Sequence, residues 1–328
     1  MPRAKLARRE FLEKSLALTA AASAAQVRAE PQAAGAGALF EGFRTSKIQT
    51  SGATINVVSG GQGPPLLLLH GAPESHVMWH KLAPRFAREF TVVAADLRGY
   101  GDSSKPADGE NHAAYSKRAM ARDQVEVMSH LGFEKFAVVG HDRGGRVAHR
   151  LAVDHPGRVT KLAVLDIVPT HRLYADSTRE FATAYFWWYF LIQPAPLPET
   201  LIGNSVEFWL SEKLGKAAAG AITSAAFAEY LRCYRNPETI HASCEDYRAA
   251  ASIDLVHDEA DMNRKIECPL LALWGEHAPM HRLYDVAATW RERATNVTGK
   301  SLPGTHYFAE EIPELVAAEL RQFFARPG

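Results

Sequence analysis

The sequence predicts an α/β protein: a mostly parallel central sheet flanked by helices, with a helical cap inserted late in the sheet. Three observations predict it. Short, near-continuous runs of Val, Leu, Ile and Ala alternate with longer helical patterns, as expected of strands buried on both faces. Clusters of Gly and Pro punctuate the ends of those runs. A stretch of about 90 residues, 171–261, then breaks the alternation with aromatics and helix formers and no strand-like run.

In order along the chain, Thr54-Ile-Asn-Val-Val58 and Pro65-Leu-Leu-Leu-Leu69 read as strands, the second bounded by Gly61-Gln-Gly-Pro-Pro65 and by His70-Gly71. Phe90-Thr-Val-Val-Ala-Ala95 is a third, ending at Asp96. Residues 120–131 have helical spacing and stop at Gly132. Phe136-Ala-Val-Val-Gly140 is a strand that turns abruptly at His141-Asp142-Arg143-Gly144-Gly145, and residues 146–154 continue as a helix ended by His155-Pro156-Gly157. Lys161-Leu-Ala-Val-Leu165 and Pro269-Leu-Leu-Ala-Leu-Trp274 complete the recognisable strands. The organisation is then a core of 43–170 and 262–328 and a cap of 171–261, carrying Phe186-Trp-Trp-Tyr-Phe190, Phe208-Trp209, Tyr230 and Tyr234. Open α/β sheets bind ligands at the carboxyl ends of their strands, which is the edge such a cap would cover.

Residues 1–29 read as an address rather than as structure. Arg8 and Arg9 precede Phe11 and Leu12, and a mildly apolar, alanine-rich stretch follows, which resembles a twin-arginine export signal. The weak hydrophobicity suits export of a folded chain, so the expected location is the periplasm, or the cytoplasm if the signal is not used. Residues 30–42, with Pro31 and a Gly/Ala run, read as a linker.

Composition narrows the function. Among 328 residues, Lys+Arg and Asp+Glu are 37 each, so no basic excess exists to hold a phosphate backbone and nucleic acid is not an expected partner. The three cysteines, Cys233, Cys244 and Cys268, make no disulfide scaffold and lack the paired spacing of a structural zinc site. No apolar run is long enough to span a bilayer.

Chemistry concentrates at strand ends. Gly140-His141-Asp142-Arg143-Gly144 fits the small-x-nucleophile-x-small turn of α/β hydrolases, which forces one side chain into the open. That side chain is a carboxylate. Attack by Asp142 on saturated carbon displaces a leaving group and leaves an alkyl ester, which water must then hydrolyse. A general base is therefore required, and His306, in Gly304-Thr305-His306-Tyr307-Phe308, stands in the expected place. Asp166, at the end of Lys161-Leu-Ala-Val-Leu165, is the candidate to orient it. The backbone N–H groups of Arg143 and Ala72 are the candidate oxyanion donors. Arg143 and Arg146 share a helix face and suit a substrate carboxylate; the alternative partner for either is a cap acid such as Glu245 or Asp246. Trp187, Trp188 and Tyr230 are candidate donors to a leaving halide. No metal or organic cofactor is implied.

From about Phe43 onward the chain resembles the haloacetate (fluoroacetate) dehalogenases of the α/β-hydrolase fold. The motifs are His70-Gly-Ala-Pro-Glu-Ser-His-Val-Met-Trp-His80, Asp96-Leu-Arg-Gly-Tyr-Gly-Asp-Ser103, Gly140-His-Asp-Arg-Gly-Gly-Arg146, Leu165-Asp-Ile-Val-Pro-Thr170, Gln193-Pro-Ala-Pro-Leu-Pro-Glu199 and Cys244-Glu-Asp-Tyr-Arg248. The resemblance implies Asp142 as nucleophile, Asp166 as acid, His306 as base and Arg143 with Arg146 as the carboxylate clamp. It also implies a small haloacid substrate and, from the family alone, a homodimer. The family's His-Trp-Tyr halide pocket falls on Trp187, Trp188 and Tyr230, so a tryptophan replaces the histidine. Epoxide hydrolases share the same Asp-His-Asp set and are the rival reading, although neutral epoxides have no use for paired arginines. A non-catalytic small-molecule binder is the third.

An indole donates one N–H but cannot carry the charge of a protonated imidazole. Fluoride, the poorest leaving halide, loses most by that exchange. Chloroacetate or bromoacetate should therefore release halide faster than fluoroacetate; equal or faster fluoride release would reject the argument.

Overall fold

The computed structural model describes residues 39–215 and 220–326. The export signal (1–29) and most of the linker (30–42) expected from the sequence lie outside the described residues. No helix among the described residues is long and apolar enough to cross a membrane.

Eight strands form one sheet: β1 (Arg44–Gln49), β2 (Thr54–Gly60), β3 (Pro65–Leu69), β4 (Thr91–Ala95), β5 (Phe136–His141), β6 (Val159–Leu165), β7 (Leu270–Gly275) and β8 (Val297–Leu302). Their order is β1-β2-β4-β3-β5-β6-β7-β8. β1 pairs antiparallel with β2 and β2 with β4, and every later pairing is parallel. The parallel block follows from the apolar runs. Leu66, Leu67, Leu68 and Leu69 are fully buried, and β5 is buried along its whole length, which only a sheet covered by helices on both faces can provide.

Six of the eight strands coincide with the runs read from the sequence, with shifts of one or two residues at their ends. The other two, β1 and β8, are edges. β1 buries only Ile48, and β8 contains Gly299 and Lys300 and buries only Leu302. With one neighbour each, such strands need little apolar character, so they left no run to recognise.

Helices are bounded by ordinary local chemistry. Ser116 caps Lys117–His130 by accepting the Ala119 N–H at 3.2 Å. Asn236 caps Pro237–Ala250, with Pro237 at its first position. Between β6 and β7 the described residues from 170 to 260 form helices and no strand. The helix after β5 starts at Asp142, four residues before the sequence-based start at 146. Gly144 and Gly145 lie inside it because the helix crosses the sheet at close range. A Cβ on Gly144 would sit 2.4 Å from the Leu69 carbonyl oxygen and 2.5 Å from that of His70.

Those atoms are backbone and have nowhere to go. Gly144→Ala should destabilise the fold by about 1–3 kcal/mol, the usual cost of overpacking, as measured by urea unfolding. An unchanged midpoint would show that the helix–sheet contact is looser than described.

Candidate active site

The turn after β5 puts Asp142 at the carboxyl edge of the sheet with φ 42°, a left-handed conformation that costs a non-glycine residue about 1–3 kcal/mol. The Gly144 N–H anchors this turn to β3 by donating to the His70 carbonyl at 2.8 Å. The carboxylate is nearly covered, with 6% of the residue exposed. Burial alone would raise its pKa, but His306, Arg146, Arg143 and His141 outweigh it and hold the group below the ordinary value. Asp142 is therefore charged at neutral pH. The Ala72 N–H, just past the end of β3, points at its Oδ2 over a long 3.4 Å. Arg143 follows in the first helical turn, where backbone N–H groups have no intrahelical acceptor.

Asp166, directly after β6, also takes a left-handed backbone, with φ 51°. β7 fixes it twice. Its N–H donates to Leu273 O at 2.8 Å, and its Oδ1 accepts the Gly275 N–H at 3.0 Å. Oδ2 is left for His306 Nδ1 at 2.5 Å. With that nitrogen committed, Nε2 of His306 faces Asp142, 4.0 Å from Oδ2. Three residues spread over 164 positions of sequence thus meet at the ends of β5, β6 and β8.

Both arginines are buried. Arg143 stands between the two alternatives read from the sequence. Its Nε donates to Asp246 Oδ2 at 2.8 Å and its Nη2 to Oδ1 at 2.9 Å, so it does pair with that acid, yet its Nη1 has no partner among the described residues. Asp246 also receives Lys117 Nζ and the Tyr100 hydroxyl, and the two cations hold its carboxyl well below the usual range. Arg146 donates to no acid among the described residues, although the charge of Asp142 acts on it. Its Nη1 donates to Val168 O at 3.1 Å and Thr170 Oγ1 at 3.0 Å, and its Nε is unpartnered among the described residues. Burial lowers its pKa to about 10, so it remains a cation at neutral pH.

The aromatic wall differs from the expectation in one member. Trp188 lies against both guanidiniums, 4.6 Å from Arg146 and 5.5 Å from Arg143. Tyr230 does not join it. Its hydroxyl donates to Glu310 Oε1 at 2.8 Å, because the face of Ser224–Tyr234 that carries it turns toward the helix Phe308–Glu311. Tyr247 takes the place instead. The Arg143 guanidinium sits 4.1 Å over its ring, Trp188 packs edge-on at 5.7 Å, and burial together with the Asp142 charge raises its pKa. Of the motif Cys244-Glu-Asp-Tyr-Arg248, Asp246 and Tyr247 are the residues that reach the site. Trp187 lines a cavity of about 340 Å³ with His306, Tyr307 and Lys213. The Lys213 ammonium lies 2.9 Å from the Trp187 ring centroid, so the corner where an indole replaces imidazole has a neighbouring amine, whose pKa burial lowers.

A buried network supports His306 from behind. His141 Nδ1 meets Glu74 Oε2 at 3.1 Å, and its Nε2 donates to the His306 carbonyl at 2.8 Å. Burial opposes the charge on His141, but Glu74 prevails and raises its pKa to about 9.

This arrangement defines a class. The alpha/beta hydrolase fold model matches residues 64–309. Within that class the chain is 48% identical over 295 residues to the fluoroacetate dehalogenase of Burkholderia sp, covering 88% of this chain and 97% of that one, and it belongs to the haloacetate dehalogenase family of α/β hydrolases. A soluble epoxide hydrolase of Corynebacterium sp. (strain C12) is 34% identical over 84% of this chain and 95% of its own. A solved α/β-hydrolase structure from Nostoc sp PCC 7120 is 58% identical, with a TM-score of 0.87 over 88% of this chain and 100% of that one.

The His141–Glu74 pair links stability to pH. A folded-state pKa near 9 against an unfolded 6.5 gives a contribution fully present below pH 6.5 and lost as pH rises through 9. The unfolding free-energy gap between the wild type and Glu74→Gln should therefore shrink over that range, by on the order of 3 kcal/mol at most. A gap independent of pH would show His141 to be neutral.

Proposed function

We propose that the protein hydrolyses short 2-haloacids, converting a haloacetate and water to glycolate and halide. The observation that carries this reading is the pair of buried guanidiniums beside a charged, buried carboxylate, each with an N–H that no described residue satisfies. Leaving such donors unpaired costs about 1–3 kcal/mol apiece, and a substrate carboxylate is the group that removes the cost while placing its α-carbon near Asp142.

The first step is displacement. An Asp142 oxygen attacks the α-carbon, the carbon–halogen bond breaks, the halide departs with the bonding pair, and a glycolyl ester of Asp142 remains. Trp188 and Tyr247 offer N–H and O–H donors at the aromatic wall, and Trp187 with Lys213 forms the adjoining corner. The second step is hydrolysis. His306 Nε2, too far from Asp142 for a direct hydrogen bond, is free to take a proton from water as it adds to the ester carbonyl. Asp166 stabilises the resulting imidazolium, and the N–H groups of Ala72 and Arg143 stabilise the oxyanion. Collapse of the adduct breaks the carbonyl carbon–alkoxide bond, the His306 imidazolium returns its proton to the departing alkoxide oxygen, and glycolate is released. The Asp142 carboxyl gives up its remaining water-derived proton to solvent to become a carboxylate again.

The family resemblance supports this substrate class, since the Burkholderia relative is named for fluoroacetate. Epoxide hydrolysis remains the reading of the more distant relative, and the arginine pair distinguishes the two. Arg146→Leu should lower kcat/KM for chloroacetate by about 100-fold or more, the scale of losing a buried charged contact, measured as chloride release. Styrene oxide should not be turned over by either form. An unaffected Arg146→Leu enzyme, or diol formation from the epoxide exceeding halide release, would reject the proposal.

A further inference from the structure

The cavity of about 340 Å³ that His306 borders also has Tyr185, Trp187, Lys213 and Tyr307 in its wall, and none of its described lining residues is an acid. Two of these side chains are donors that lack an acceptor. The Lys213 ammonium rests on the Trp187 ring, and no carboxylate or carbonyl among the described residues receives it. Tyr185 is 4% exposed, and no described group accepts its O–H; the Met280 N–H beside it can only donate. The two donors share a wall, because Tyr185 packs edge-on against Trp187 at 5.3 Å. The Tyr307 hydroxyl, next to His306 in sequence, holds the Lys213 backbone by donating to its carbonyl at 3.0 Å.

The helix Trp187–Phe190 divides this cavity from the arginines. Successive residues of a helix point about 100° apart, so Trp188 lies against Arg143 and Arg146 while Trp187 meets Lys213. Asp142 is within electrostatic reach of both groups, since its charge acts on Lys213 as well as on the arginines. The nucleophile is therefore served by two separate sets of cationic donors.

We infer that the cavity is a second carboxylate subsite, in which Lys213 and Tyr185 receive an acid group carried on the β-carbon of the substrate. The inference rests on the haloacid reading above and extends its substrate class to 2-halo dicarboxylic acids such as 2-chlorosuccinate. An ammonium and a phenol can each donate to one oxygen of a carboxylate. Burial holds the Lys213 amine below its ordinary pKa despite Asp142 and Glu74, and a ligand carboxylate brings the missing counter-charge. It also satisfies the Tyr185 hydroxyl, whose isolation is costly. A departing halide is too small to account for the space, since a water of similar size takes up only about 30 Å³. His277, exposed at the rim, leaves the cavity open for entry.

The chemistry at the α-carbon is unchanged. Asp142 displaces chloride, which leaves with the bonding pair, while the α-carboxylate stays with Arg143 and Arg146. Water then hydrolyses the ester, giving 2-hydroxysuccinate and one proton to solvent.

The test compares chloride release from 2-chlorosuccinate, from 2-chlorobutyrate, which has a methyl group in place of the second carboxylate, and from chloroacetate. The first two lose the same halide, so any role of Lys213 toward the leaving group cancels in their kcat/KM ratio. In the wild type that ratio should favour the dicarboxylate by at least about tenfold, the scale of one charge-assisted contact. Lys213→Met should bring it near unity, Tyr185→Phe should lower it in part, and Lys213→Arg should keep most of it. Succinate should inhibit chloroacetate turnover competitively, and more weakly in Lys213→Met. Chloride from chloroacetate without a preference for the dicarboxylate, or a preference that Lys213→Met retains, would overturn this inference alone. No chloride from any of the three acids would overturn the haloacid reading itself, and this inference with it.

Discussion

The structure depends on keeping one carboxylate ionised where water is scarce. Burying a charge is among the costliest things a fold can do, and at Asp142 the cost is met by His306, Arg146, Arg143 and His141 together. They come from three parts of the fold. The two arginines come from the helix that Asp142 itself begins, His141 from the last position of β5, and His306 from the loop after β8. A carboxylate that is ionised and held in a left-handed backbone is thus a product of the whole sheet rather than of the local motif.

The cations that stabilise Asp142 are themselves unequal. Arg143 is locked by Asp246, which lies on the helix Pro237–Ala250 and is shared with Lys117 and Tyr100. That shared acid makes one polar joint between the helix that begins at Asp142, the helix Lys117–His130 and the helix Pro237–Ala250. Among the described residues Arg146 donates to a carbonyl and a hydroxyl and packs on Trp188, with no acid in hydrogen-bond reach, so its charge is the less compensated of the two. A bound carboxylate would gain more from Arg146, while Arg143 contributes geometry through its fixed plane and the Tyr247 and Trp188 rings packed against it.

Much of this was legible in the sequence, for a physical reason. Asp142, Asp166 and Ala72 follow buried parallel strands, and an apolar run that ends abruptly marks the sheet edge where their side chains or N–H groups must emerge. His306 was legible from its place after the last strand region even though β8 itself, an edge strand, was not. The arginines could be placed beside Asp142, but their partners could not. Whether Arg143 meets Asp246 depends on how a distant helix is rotated and docked, which no local pattern encodes. The same rotation decides between two tyrosines of the helical segment. Tyr230 turns to Glu310 and Tyr247 turns to Arg143, and counting along the chain cannot distinguish a helix face directed at the site from one directed past it. The amine beside Trp187 was hidden likewise, since Lys213 is 26 residues away in sequence.

The central claim is that the Asp142 carboxylate, and not water, breaks the carbon–halogen bond. A single turnover of chloroacetate in water enriched in heavy oxygen, with enzyme in excess, tests it most directly by mass spectrometry of the peptide containing Asp142. The account predicts that the isotope appears in the Asp142 side chain, because water attacks the ester carbonyl and one of its oxygens stays with the enzyme. Label found only in glycolate, with Asp142 unlabelled after chloride has been released, would contradict it.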